Sequence, residues 1–276
     1  MDLGILQGEV LVFGGNYSNL QATQAIQAEA ARRGIPAERV ICTGDVVAYC
    51  GQPEETTQLM REWGAPVVMG NCEESLGFDA EDCGCGFEEG TACAVLSDSW
   101  FNFSRNRVSD VSKAWMRALP RTVSFELGGK CFQVVHGGTT VINRFVFASM
   151  PDQVFQAEFA DVEADVVIGG HAGIPFARRY EQRYWLNAGV IGMPANNAST
   201  GTWYMLLSEV DGAVQVSWHA LEYDAVAAQA VMRECGQDNA YAKALLTGLW
   251  PGLDALPETE QQQTGQPLSL SNIRLS

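Results

Sequence analysis

With 276 residues the chain is long enough for a sizeable α/β core, and 17 Lys and Arg against 33 Asp and Glu give it a formal net charge of −16. A surface that acidic repels polyanions, which argues against a nucleic-acid polymer or an anionic membrane as partner. No apolar run reaches the roughly 18 residues of a membrane span, the Met1-Asp2-Leu3 start lacks a basic n-region, and eight Cys with one tight cluster fit a reducing compartment, so a cytoplasmic protein is expected.

In chain order, Glu9–Phe13 reads as a short strand followed by the turn Gly14-Gly15-Asn16-Tyr17-Ser18-Asn19. Leu20–Arg33 reads as a helix, with Asn19 as N-cap, an apolar stripe at Ala22, Ile26 and Ala30, and a stop at Gly34. Val40 and Ile41 begin the next strand, which closes a βαβ unit and ends in Thr43-Gly44-Asp45. Open α/β sheets place their ligands at that carboxyl edge, so Asp45 is a candidate site residue. Pro53–Trp63 is a helix, and Pro66–Met69 a third strand ending at Gly70-Asn71-Cys72. Residues 77–95 form a Gly- and acid-rich loop holding Cys83, Cys85 and Cys93. Trp100–Phe103 and Val111–Leu119 look helical, the second turning Val111, Trp115 and Leu119 inward.

The second half opens with a hairpin, Thr122–Leu127 and Lys130–Val135 around Gly128-Gly129, running into His136-Gly137-Gly138. Gln153–Phe159 is a helix, and Asp165–Ile168 a strand ending in Gly169-Gly170-His171. Tyr184–Asn187, Thr202–Leu207 and Val214–Ala220 read as strands, and Ala225–Cys235 and Tyr241–Gly248 as helices. The polar tail from Glu258 to Ser276 is expected to be partly disordered or to lie over the surface. No linker or internal repeat divides the chain, so residues 1–276 read as one domain, with 221–276 as a helical extension and tail.

Two of the three His, His136 and His171, follow apolar strands directly, whereas His219 lies inside an alternating strand and reads as structural. Gathered at strand ends, Asp45, Asn71, His136 and His171 offer two oxygens and two imidazoles. That set suits a divalent ion such as Mn, Fe, Zn or Ni, with positions left for water and substrate.

The order Gly44-Asp45, Gly70-Asn71-Cys72-Glu73, His136-Gly137, Gly170-His171-Ala172-Gly173 resembles the calcineurin-like metallophosphoesterase superfamily, in particular its compact bacterial phosphodiesterases. Ser18-Asn19-Leu20-Gln21-Ala22 and Asn187-Ala188-Gly189 carry the resemblance further, from Glu9 to about Ala220. It implies an α/β (α+β) fold: a four-layer αββα sandwich of two mixed β-sheets flanked by helices, with the site at the strand ends. It also implies a two-ion phosphoesterase, from which this chain departs. The family's opening Asp-x-His falls on Gly15-Asn16-Tyr17, its second His of Gly-His-x-His on Gly173, and its leaving-group acid, the His of Gly-Asn-His, on Cys72.

Carried over residue by residue, the unshared ligands of one ion are gone, while all four of the other, Asp45, Asn71, His136 and His171, remain. The expectation is a metal-dependent hydrolase of a small phosphate ester that holds one ion, or two if other groups rebuild the lost half. Cys72 is the expected acid, with Tyr17, Cys83 and Cys85 as possible auxiliary groups. A structural zinc on the cysteines, a loop disulfide and free buried thiols all stay open. Two alternatives stand beside the enzyme: a catalytically degenerate metal- or phosphate-binding protein, and a thiol-based metal or redox protein.

Overall fold

The computed structural model describes residues 1–86 and 90–275, in which apolar strands build two sheets lying face to face. In the first sheet, β2 (Val10–Phe13) and β3 (Val40–Cys42) are parallel and buried at every residue, as expected of strands covered on both faces. β9 (Thr202–Val210), β10 (Ala213–Leu221) and β11 (Ile273–Leu275) extend that sheet antiparallel, in the order β11-β10-β9-β2-β3. The second sheet has the order β1-β4-β5-β6-β8-β7, made of β1 (Asp2–Ile5), β4 (Val123–Leu127), β5 (Lys130–Val134), β6 (Val166–Gly169), β7 (Phe176–Tyr180) and β8 (Arg183–Asn187). Both sheets are mixed, because β5, β6 and β8 run parallel while β4 pairs antiparallel with β5.

Between the sheets, Val12, Ile41, Met205 and Leu207 meet Phe125, Phe132, Val134 and Ile168 in one buried layer. Each such side chain withdrawn from water contributes about 1.5–3 kcal/mol before the entropy of ordering is counted. Helices cover the outer faces. α1 (Leu20–Arg33) lays Ala22, Ile26 and Ala30 on Leu11 and Phe13, and α2 (Pro53–Trp63) adds Met60. On the other side α6 (Asp152–Glu158) sets Phe155 against Val167 and Trp185. The expected four-layer αββα arrangement is therefore the one observed. The Asn19 side chain accepts the Ala22 N–H and Gly34 closes α1 at φ 68°, as the sequence predicts.

Several local expectations fail. Pro66–Met69 makes only a single bridge, Val67 to Cys42, because the chain turns at once into α3 (Asn71–Gly77). α4 (Ala92–Arg105) is longer than the predicted Trp100–Phe103. In α5 (Asp110–Ala118) Trp115 packs partly buried against the core, as does Leu119 just past the helix, but Val111 is 61% exposed, and Ser112 and Met116 are the fully buried positions. The reason is polar: Ser109 and Ser112 donate to the Glu54 carboxylate, which fixes the phase of the helix. β1 and β7 are strands beyond those expected, and of the two outcomes expected for the tail it takes the second, lying over the surface with β11 paired to β10 and Leu275 buried. Before it come α7 (Ala225–Glu234), α8 (Ala240–Thr247) and α9 (Glu258–Gln262). Parts of two expectations, residues 87–89 of the cysteine loop and Ser276, lie outside the described residues. Among the described residues no helix is long and apolar enough to cross a membrane.

Candidate metal centre

The carboxyl ends of three strands and the start of one helix bring the predicted ligands together. β3 runs into Thr43-Gly44-Asp45, β5 into Val135-His136, and β6 into Gly170-His171, while Asn71 opens α3. His136 Nε2 lies 3.0 Å from Asn71 Oδ1, 3.1 Å from His171 Nδ1 and 3.3 Å from Asp45 Oδ2. His171 Nδ1 is 4.0 Å from Asp45 Oδ2. Donors sharing one ion at about 2.1 Å sit about 3.0–3.4 Å apart for angles from right to tetrahedral, the spacing of the first three pairs.

The donor set itself calls for a cation. His136 Nδ1 is 2.7 Å from the Thr43 carbonyl, an obligate acceptor, so Nδ1 carries a proton and Nε2 of the neutral ring presents a lone pair. Asn71 Nδ2 donates to the Cys83 carbonyl at 2.9 Å, which turns Oδ1 inward. Nε2, Oδ1 and the Asp45 carboxylate thus face one another, all as acceptors. A proton or a divalent ion must sit among them, and the residues fit a divalent ion.

The electrostatics agree. Burial works against the charge on Asp45, but His136 and His171 hold its carboxyl below the usual range. Burial likewise opposes a charge on His136, yet the Asp45 carboxylate prevails and raises its pKa. His171 moves the other way, to about 3, through burial and then the neighbouring His136. Among the described residues its buried Nε2 has no hydrogen-bond partner.

One residue that sequence reasoning passed over frames the site. Glu73 is fully buried, with Oε2 accepting the Asp45 N–H at 2.8 Å and the Gly70 N–H at 3.0 Å, and Oε1 accepting the Val46 N–H at 2.8 Å and the Val47 N–H at 3.3 Å. These bonds hold Asp45 at φ 58°, in the left-handed region that non-glycine residues avoid. Burial, and then Asp45, raise the Glu73 pKa to about 7. The available signal was its spacing: a Glu three residues after the Gly70 cap sits at N3, from which its carboxylate reaches back to the cap N–H. Gly44 is required by the same packing, since a Cβ there would lie 2.7 Å from the Val68 carbonyl and 2.8 Å from His136 Nδ1.

Among the described residues the other half of the expected site holds no comparable set, and Gly15 and Gly173 carry no side chain there. Asn16 is buried with both ends of its amide engaged: Nδ2 donates to Thr23 Oγ1 at 3.0 Å, and Oδ1 accepts from the Cys42 thiol at 3.4 Å. The Tyr17 ring folds over Gly15 and packs edge-on against Tyr49, with centroids 4.7 Å apart. Burial first, and then the nearby Asp45, raise its phenol pKa, so Tyr17 stays uncharged. Gly173 has φ 71°, and a Cβ on it would meet the Trp250 ring at 3.3 Å.

Cys72, expected as the acid, is 1% exposed in an apolar cluster with Leu76 and Met116. Burial, with Asp45 and Glu73 next to it, pushes its thiol well above the usual range. Its backbone N–H donates to Asp45 Oδ1 at 3.3 Å. Cys83 and Cys85 are joined as a disulfide, with the Cys85 sulfur 3.6 Å from Asn71 Nδ2, while Cys42, Cys50, Cys72, Cys93, Cys131 and Cys235 carry free thiols. His219 lies apart on β10, stacked on Tyr204.

This fold and this cluster define a class. Residues 17–212 match the calcineurin-like phosphoesterase superfamily domain. The chain belongs to that superfamily. It is similar to an uncharacterized protein of Methanocaldococcus jannaschii, 24% identical over 238 residues that cover 80% of this chain and 90% of the relative. A metallophosphoesterase from Sphaerobacter thermophilus shares the fold at TM-score 0.69, with 21% identity over 88% of this chain and all of that one. A hypothetical protein from Pyrococcus horikoshii OT3 does so at TM-score 0.72, with 16% identity over 91% of this chain and all of the other.

Proposed function

We propose that the chain is a hydrolase of small phosphate esters working with one divalent transition ion, held by Asp45, Asn71, His136 and His171. The observation that supports this most is the set of inward-facing acceptors around His136 Nε2, 3.0–3.3 Å from their neighbours. A divalent ion in such a site supplies Lewis acidity, which draws charge from a phosphoryl oxygen and makes a water acidic enough to attack near neutral pH. The chain's own residues do the positioning. Thr43 fixes the His136 tautomer, the Cys83 carbonyl orients Asn71, and Glu73 holds the Asp45 turn. Cys72 serves as a backbone donor to Asp45 and not as the acid, because a thiol buried beside two carboxylates gives up its proton reluctantly. Water protonates the leaving oxygen.

Substrate charge follows from the surroundings. Among the described residues lining the aromatic-walled cavity beside His171 there is no Lys or Arg, and Arg144, which lines a smaller pocket on another side of His171, is paired with Glu158 at 3.1 Å. With only the ion to offset negative charge, a singly charged phosphodiester is favoured over a dianionic monoester. The degenerate-binder reading draws on the missing Asp-x-His and the Gly at position 173.

Elemental analysis of the tag-free protein, followed by a phosphoester screen, separates the two. About one ion per chain, with diester hydrolysis falling at least about a hundredfold in His136→Ala, is the expected result. One ion without turnover on any ester favours the binder, and no ion after reloading with Mn, Zn or Fe removes the hydrolase reading.

A further inference from the structure

The space where the superfamily pattern would put its other ligands is not simply filled. Tyr17 stands at the position of one lost His, and Gly173 at that of another. Between them opens a cavity of about 70 Å³ whose walls include Tyr49, Tyr241, Trp250, Phe145 and Met193. No Asp, Glu, Lys or Arg is among the described residues lining it, and His171, one of the four inward-facing donors, forms part of its wall.

Three separate parts of the chain cooperate to make it. Tyr17 and Tyr49 come from the loops that follow β2 and β3, Phe145 from the segment before α6, and Tyr241 and Trp250 from the C-terminal part. The rings brace one another. Tyr49 stacks on Tyr241 with centroids 4.4 Å apart, and Phe145 lies 4.3 Å from the His171 ring. Trp250 is pinned at both ends, its indole N–H donating to the Pro194 carbonyl at 2.6 Å and its backbone N–H to Asn196 Oδ1 at 2.9 Å. A side chain at position 173 would intrude on that ring.

A held, uncharged aromatic pocket that touches an ion-binding imidazole recognises flat apolar groups by stacking and by excluding water. We infer that this pocket binds an uncharged aromatic ring carried by the phosphate ester, seating it beside the ion held by His171. The inference rests on the one-ion phosphoesterase reading and adds the identity of one ester arm. The cleft is narrow and open on one side, and its uncharged aromatic walls suit a single flat ring.

Non-hydrolysable phosphonates test it by calorimetry on the metal-loaded full chain. Monomethyl phenylphosphonate should bind about tenfold more tightly than monomethyl methylphosphonate, both being singly charged diester analogues. Ala255 lines the same cavity and is half-buried, so Ala255→Phe fills the pocket from a tolerant position. In that variant, and in Trp250→Ala, the affinity ratio should fall towards one. Equal affinities in the unaltered protein, or an unchanged ratio in both variants, overturn the pocket and leave the phosphoesterase reading standing. Failure of both phosphonates to bind the metal-loaded protein overturns the two together.

Discussion

The two halves of the site differ in what their side chains can do. On one side Asp45, Asn71, His136 and His171 converge, the first three each tied by a second group that fixes its direction. On the other, Asn16 spends both ends of its amide on Thr23 and Cys42, Tyr17 packs as a ring, and Trp250 takes the space next to Gly173. Undirected loss would leave stray donors and loose packing. Here every polar end of the second half has a partner or an aromatic neighbour. That half is a surface of a different kind, and the difference can be broken or sharpened from either side.

The largest expected effect comes from the support of the polar half. Glu73→Ala leaves four N–H groups, those of Gly70, Asp45, Val46 and Val47, without their acceptor in a buried place. Each orphaned group costs about 1–3 kcal/mol, partly offset by removing a buried carboxylate next to Asp45, so a net loss of about 3 kcal/mol is expected in denaturant unfolding. Ion affinity should drop about ten- to a hundredfold, the usual consequence of losing a group that orients a ligand. Glu73→Gln keeps one acceptor oxygen and should lose about half as much stability. Stability unchanged in Glu73→Ala would mean that the Asp45 turn holds itself.

A smaller effect is expected from trying to convert the aromatic half back. The triple change Gly15→Asp, Tyr17→His and Gly173→His restores the three ligand types of the superfamily pattern. It should still bind one ion and lose about 1–3 kcal/mol, because a His at position 173 must adopt φ 71° and press on the Trp250 ring. Two ions per chain by elemental analysis would show that the second half lacks only its ligands, and the contrast between the halves would dissolve.

The polar half was legible in the sequence because its residues sit directly after apolar strands, where topology alone assembles them. His136, His171, Asp45 and Asn71 needed no side-chain detail to be grouped. Glu73 stands in the quoted motif without a role, because its work is done on backbone N–H groups and its spacing from Gly70 is the one signal of it. The aromatic pocket was illegible for another reason: Tyr17 and Trp250 are more than 200 positions apart in the chain, and nothing local says that α8 and the residues after it return to the site. In the fold, α1 and α2 were readable to the residue because caps and apolar stripes agreed. Val111 misled because a Glu54–serine network, and not hydrophobicity, sets the phase of α5.

The smallest expected effect lies at the seam between the halves, where the Cys83–Cys85 loop crosses Asn71. What orients the Asn71 amide is the Cys83 carbonyl at 2.9 Å, a backbone atom, so the sulfurs matter only as far as they hold the loop. The double change Cys83→Ser and Cys85→Ser should therefore weaken Mn binding by about three- to tenfold, less than the loss of a side-chain partner would. Reductant acting on the unaltered protein should shift Mn affinity in the same direction and by a similar factor. Thiolates would behave differently: they select Zn over Mn. A reduced protein that gains Zn affinity while the double serine variant does not would make these cysteines ligands. The polar half would then extend into the cysteine loop, and the thiol-based reading would replace the one argued from four oxygen and nitrogen donors.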